Sequence, residues 1–317
     1  MTELIKIHQP GTPATAEALP PLSVIVEHFL FTQDVRPQSR NLYRRTLKQF
    51  FEWVNASGHN LNQLTKEHPI AYKQYLIEKG LSPFTVGSYI TVLRLFYKFT
   101  SIEGIYKNIA DGVKPPKMPE WHMKQTLNQS QGKALLQRLS SQGPRNKAIG
   151  SLLIYCGFRT IEVSRLKIKD LVLMDGIYII KVHGKGRHTT DEEAAPPDEA
   201  VKAIKEYLAT RPGALPGEPM FISESNNSKG KPLSTRMISG IIKEALRVCG
   251  MDDLTLSAHS LRHTYATSLL AKGEPIEDIQ EELRHKSINT TMKYVKTEAR
   301  KKKRERRTSQ VIDKMYN

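Results

Sequence analysis

The stretch "LRHKSINTTMKY" (283–294) places a phenol, Tyr294, nine residues after an imidazole, His285. A phenol with a reference pKa near 10 is a poor nucleophile at neutral pH unless cations stabilise its anion or a base takes its proton. The chain offers both kinds of help. In "AHSLRHTYATSLL", His259 and Arg262 stand three apart at a helix start and project from one face. A guanidinium is a planar fork matched to two phosphate oxygens, and an imidazole gives or takes a proton near neutral pH. "CGFRTIEVSRLKIKDL" adds Arg159, with Glu162 and Arg165 following at three-residue steps, so that Glu162 could orient a second arginine on the same phosphate. Lys185 lies in the tight "HGKG", a hairpin tip from which it could reach a substrate groove. Each member alone has a plainer reading: core packing for Tyr294, a helix-surface pair for His259 and Arg262, internal ion pairs on an exposed helix around Glu162, a solvated lysine at 185. His259 and His263 have the spacing of a helical metal pair, but no glutamate lies between them and Cys156 and Cys249 are single and distant, so no metal site is expected. The combination is far more informative than any member.

These groups fall in the second half of a 317-residue chain, a length that suits two domains at about 150 residues each. Residues 1–21, with four prolines among small residues, read as a flexible arm. Residues 22–105 carry helical periodicity and read as a small helical domain. In "QSRNLYRRTLKQFFEWVNAS", Tyr43, Leu47, Phe50, Phe51 and Val54 define a buried face. Arg36, Arg40, Arg44 and Lys48 recur every fourth residue on another, with no acid interleaved to pair with them. Such a stripe is ordinarily a solvated face. In a chain with 48 Lys+Arg against 32 Asp+Glu and a formal net charge of +16, phosphate contact is the better reading. Residues 106–126, with Pro115, Pro116 and Pro119 among lysines, read as a linker. Residues 127–317 read as a mostly helical domain with a small antiparallel β-hairpin or sheet around "IYIIKV" (177–182). No proline or glycine follows Pro275, so helix is expected nearly to the end, through the basic tail "KKKRERR". No apolar run approaches the roughly 18 residues of a membrane span, the N-terminus lacks a secretory pattern, and no Walker phosphate loop is present. With two cysteines, the chain reads as a reduced, cytoplasmic, nucleoid-associated protein with no membrane partner.

In order, "GFRTIEVSRL", "HGKG", "HSLRHTYAT" and "LRHKSINTTMKY" resemble the tyrosine recombinase family of phage-type integrases and Xer-like site-specific recombinases, and the match runs from about residue 22 onward. The resemblance implies a SAM-like core-binding domain followed by a catalytic domain. It implies that Arg159 and Arg262 clamp the scissile phosphate and that Tyr294 attacks phosphorus to leave a 3′-phosphotyrosine. It implies further that Lys185 protonates the departing 5′-oxygen, that His259 assists proton transfer at the nucleophile, that His285 hydrogen-bonds a phosphate oxygen, and that Glu162 and His263 support the site. No metal, ATP or other cofactor is implied. The implied partners are double-stranded DNA with short inverted-repeat core sites, three further copies in a tetramer that exchanges strands through a Holliday junction and shares its C-terminal segments (here Val311, Ile312 and Met315), and an accessory directionality protein. Two departures stand out: Arg284 occupies a position where such proteins usually have glycine, and "HTTDEEAAPP" is polar where a second apolar strand is usual, which makes Lys181 the alternative to Lys185. The competing readings are a catalytically silent DNA-binding protein on the same scaffold and relaxation of DNA in the manner of a type IB topoisomerase.

Overall fold

The computed structural model describes residues 19–117, 125–183, 192–253 and 255–305, and the chain divides between His122 and Met123 into two compact units. The first unit contains α1 (Leu22–Thr32), α2 (Pro37–Ala56), α3 (Glu67–Glu78) and α4 (Pro83–Ile102). Proline opens both long helices at a position where its missing N–H costs nothing, and the Ser82 hydroxyl caps α4 by accepting from the Thr85 N–H at 3.2 Å. Leu47, Phe50 and Val54 on α2 are buried as their spacing requires, with Tyr43 and Phe51 packed at the margin. Aromatic rings meet edge-on at the centre, Phe29 against Phe96 at 5.4 Å and Phe50 against Tyr72 at 5.0 Å. The segment expected to be linker from residue 106 starts inside this core, where Ile109, Ala110 and Val113 are buried. The first 18 residues of the expected arm lie outside the described residues.

The second unit contains α5 (Gln129–Ser141), α6 (Pro144–Tyr155), α7 (Thr160–Arg165), α8 (Asp198–Ala209), α9 (Thr235–Val248), α10 (Ala258–Lys272), α11 (Ile276–Glu282) and α12 (Ile288–Glu305). A three-stranded antiparallel sheet, β1 (Leu171–Met174), β2 (Ile177–Val182) and β3 (Glu192–Ala194), runs in the order β1-β2-β3 with Ile180 opposite both Leu171 and Ala194. The architecture is mainly α with a small antiparallel sheet, as the sequence pattern implies. Helix α6 buries Ala148, Ile149, Leu152 and Leu153 and packs against α5, α8 and α10, which makes it the floor under the site described below. Among the described residues, no helix is long and apolar enough to cross a membrane.

Two features differ from the sequence reading. The apolar "LVLM" is a strand, and the two-residue turn Asp175-Gly176, with φ of 49° and 84°, joins it to β2; both positive angles match the twist a tight hairpin needs. Helix after Pro275 is not continuous. It stops at Glu282 and resumes at Ile288, with Arg284 at φ 53° between them. The Arg284 N–H reaches Glu281 O at 2.7 Å and the His285 N–H reaches Gln280 O at 3.0 Å. This pair of bonds closes a helix C-terminus around a left-handed residue, a position that glycine ordinarily fills.

Candidate active site

Helix α6 ends at Tyr155, and Gly157 then takes φ +58° so that the chain can double back into α7. A β-carbon there would lie 2.6 Å from Tyr265 Cδ1 and 3.1 Å from Leu283 Cδ2. Arg159 is the residue before the first turn of α7, in extended conformation. Glu162, in that first turn, reaches back to accept from the Arg159 N–H at 2.8 Å and from its Nη1 at 2.5 Å. A carboxylate there satisfies a free helix N–H and complements the helix dipole. Arg262, on α10, is 1% exposed; its Nη1 donates to Gly157 O at 2.6 Å and its Nη2 to Leu283 O. Arg284 Nη2 donates to Glu162 Oε2 at 3.1 Å, its Nη1 to Glu282 O at 2.7 Å, and its guanidinium lies 4.6 Å over the Phe158 ring. Three guanidiniums therefore surround one fully buried carboxylate.

The electrostatics follow from burial and like charge. Burial pushes the Glu162 carboxyl up, but Arg284, Arg159 and Arg262 outweigh it and hold the group below its ordinary value. Burial, then the Arg159 cation, push Arg262 down to about 9, so it stays charged at neutral pH, with a surplus of positive charge beside it. Such a site is short of an anion.

Tyr294 projects from α12 and is 4% exposed. Its ring packs with Ala266, Ile279 and Leu283, so core packing is a true description of its body. Its surroundings are polar on the other side: the His263 ring stands edge-on at 4.8 Å and the His285 ring lies parallel at 6.0 Å. His259 is exposed and reaches the site through its ring contact with His263 at 5.0 Å. The His285 Nδ1 lies 2.8 Å from the Thr291 hydroxyl, and burial followed by the Arg262 and Arg159 charges lowers the imidazole to about 3, leaving it neutral. Burial raises the Tyr294 phenol while Arg262 beside it acts in the opposite sense, and burial prevails. The phenol is thus protonated until something removes its proton, and the cations alone do not activate it.

Of the residues singled out in the sequence, Arg159, Glu162, Arg262, His263, His285 and Tyr294 come together, with His259 at the margin. Lys185 lies outside the described residues; Lys181 is half-buried on β2, opposite Glu193 in the sheet register. On α2, Arg36 is exposed at the helix start and Arg40 is half-buried. Contrary to the expectation of an unpaired stripe, Arg44 forks onto Glu27 of α1 at 2.7 and 2.9 Å, and Lys48 lies 3.8 Å from Glu52. Glu27 is distant in sequence, so periodicity within one helix could not reveal it. Sequence reasoning did not assign Thr291, the Gly157 carbonyl or the Arg284 side chain to the site. Of these, the sequence marked Arg284 alone, through its departure from glycine. Among the described residues, no group of three or more His, Cys, Asp or Glu could hold a metal ion.

Residues 125–301 match the phage integrase family, and residues 26–104 match the phage integrase N-terminal SAM-like domain. The chain is 30% identical over 276 residues to the tyrosine recombinase XerC of Pelobacter propionicus, covering 84% of this chain and 87% of the relative. It is 33% identical over 235 residues to XerC of Lactobacillus delbrueckii subsp. bulgaricus, covering 69% and 75% respectively. Two solved structures share the fold at TM-score 0.68. The Tn1549 transposon integrase in complex with transposon right end DNA has 19% identity and covers 89% of this chain and 98% of that one. The XerH site-specific recombinase bound to its palindromic difH substrate has 21% identity and covers 89% and 83%.

Proposed function

This chain belongs to the phage integrase family, and from that membership together with the geometry of its site we propose that it is a tyrosine-type, site-specific DNA recombinase working through a 3′-phosphotyrosine. The observation that supports this most directly is the convergence of a buried phenol, two arginines and two histidines from α7, α10, the α11–α12 turn and α12 on one cation-rich site. Arg159 and Arg262 neutralise the non-bridging oxygens of the scissile phosphate. The Tyr294 oxygen bonds to phosphorus in line with the departing 5′-oxygen, and the P–O5′ bond breaks. His259 assists loss of the phenol proton, His285 hydrogen-bonds a phosphate oxygen, and Lys185 supplies the proton that makes the leaving group a 5′-hydroxyl. Glu162 and His263 keep these groups in place. Attack by the 5′-hydroxyl of another strand reverses the step and reseals the DNA. The tyrosyl ester keeps the energy of the broken phosphodiester, so no ATP is consumed, and fixed guanidiniums perform the electrostatic role that magnesium has in other phosphoryl transfers.

Relatives named as Xer recombinases and neighbours solved with DNA support duplex DNA as the partner. In this reading four copies synapse two sites built of short inverted repeats, pass through a Holliday junction and exchange C-terminal segments. Arg36, Arg40, Arg44 and Lys48 contact phosphates, and an accessory protein sets direction. The test is covalent trapping: nicked duplexes tiled across the DNA flanking this chain's own gene are incubated with the parent and with Tyr294→Phe, then denatured. An adduct in the parent that is absent from the variant is expected. Tight binding without any adduct would favour the silent DNA-binding scaffold, and relaxation of supercoiled DNA lacking any specific site would favour topoisomerase chemistry.

A further inference from the structure

Arg284 occupies a left-handed position, φ 53°, that closes the end of α11 and that glycine adopts without strain. Its side chain is 2% exposed, and among the described residues its Nε has no hydrogen-bond partner. Backbone strain and an unsatisfied buried donor both oppose folding, so cap stability does not explain an arginine here. What the residue gains lies in the site. Its Nη2 holds Glu162 Oε2 at 3.1 Å, the same oxygen that accepts the Arg159 N–H, while the other oxygen holds Arg159 Nη1. Its backbone carbonyl faces Arg159 Nη2 at 3.4 Å, and the preceding carbonyl, of Leu283, accepts from Arg262. One residue thus touches Glu162 with its side chain and Arg159 with its main chain.

We infer that Arg284 is a positioning residue for strand cleavage: by pinning Glu162 and countering its charge, it fixes the Arg159 fork and leaves the charge of Arg159 and Arg262 to the scissile phosphate. Among the neighbouring cations, Arg284 contributes most to holding Glu162 ionised, which agrees with that role. The inference rests on the recombinase reading above, and its test separates the two. Glycine and asparagine both tolerate φ 53°, so Arg284→Gly and Arg284→Asn remove the guanidinium with the turn kept. Adduct formation with the trapped duplex is timed at saturating DNA. Both variants are expected to bind DNA as the parent does and to react at least about tenfold more slowly, with Arg284→Lys recovering part of the rate. In a Glu162→Gln background, Arg284→Gly is expected to slow the reaction no further, because its effect passes through Glu162. Parental rates in both uncharged variants, or an equal slowing with and without Glu162, would overturn the inference while leaving the recombinase reading intact. A parent that forms no adduct at all overturns that reading and the inference with it.

Discussion

Arg262 is the residue on which the site turns, because a cation 1% exposed is tolerated only where carbonyls and a carboxylate receive it, and here Gly157, Leu283 and Glu162 do so. Lysine offers a single point charge in place of a fork that spans two carbonyls and, in the proposed function, neutralises the scissile phosphate. Arg262→Lys is therefore expected to lower the rate of adduct formation roughly 100-fold to 1000-fold, the loss typical of removing one fixed transition-state donor. A near-parental rate would place the phosphate elsewhere. His285 makes a prediction of a different kind. Burial and the neighbouring arginines hold the folded imidazole at about 3, well below its ordinary 6.5, so between those values the unfolded chain binds a proton that the folded chain does not. Stability should therefore fall as pH drops from 6.5 toward 3, by an amount on the order of a few kcal/mol. Urea midpoints at several pH values should decline more steeply for the parent than for His285→Gln. Parallel declines would mean that the imidazole is not held neutral. The Glu162 contribution, present above its ordinary carboxylate range and lost as pH falls through its lowered value, is common to both proteins and cancels in the comparison.

At the level of elements, the site depends on two turns with left-handed residues. Gly157 lets α6 turn into α7 and supplies the carbonyl that holds Arg262. In Gly157→Ala the new methyl would meet Tyr265 at 2.6 Å with φ at +58°, and we expect a loss of about 1–3 kcal/mol in chemical unfolding together with slower adduct formation. An unchanged unfolding midpoint would show that the turn relaxes freely. These turns also mark the limit of what was legible in the sequence. The gathering of Arg262, His285 and Tyr294 was legible only through the resemblance to a family, whereas the buried face of α2 follows from short-range periodicity and could be read. The strand at Leu171–Met174 could not, since four apolar residues fit a buried helix as well as a strand. Nor could the break at Arg284, because a charged residue is a poor signal for a left-handed cap and its reward, the contact with Glu162, comes from 122 residues away.

For the whole molecule, the governing quantity is the net charge of +16, which makes DNA binding a matter of counterion release. How far the α2 stripe contributes can be tested through its neutraliser. If the stripe faces phosphate, Glu27→Gln frees Arg44 from its carboxylate, strengthens duplex binding a few-fold and steepens the dependence of log affinity on log salt by up to about one ion. Fluorescence anisotropy between 50 and 200 mM salt reads both quantities. Unchanged affinity and slope would return the stripe to solvent. The proposed function comes down to one chemical event, transfer of a DNA 3′-phosphate to a single phenol among 12 tyrosines. The most direct measurement is therefore peptide mass spectrometry on the denatured, nuclease-trimmed adduct. We expect the nucleotide mass on the peptide that contains Tyr294 and on no other, whereas a modified tyrosine, serine or histidine elsewhere would contradict the assignment of the nucleophile.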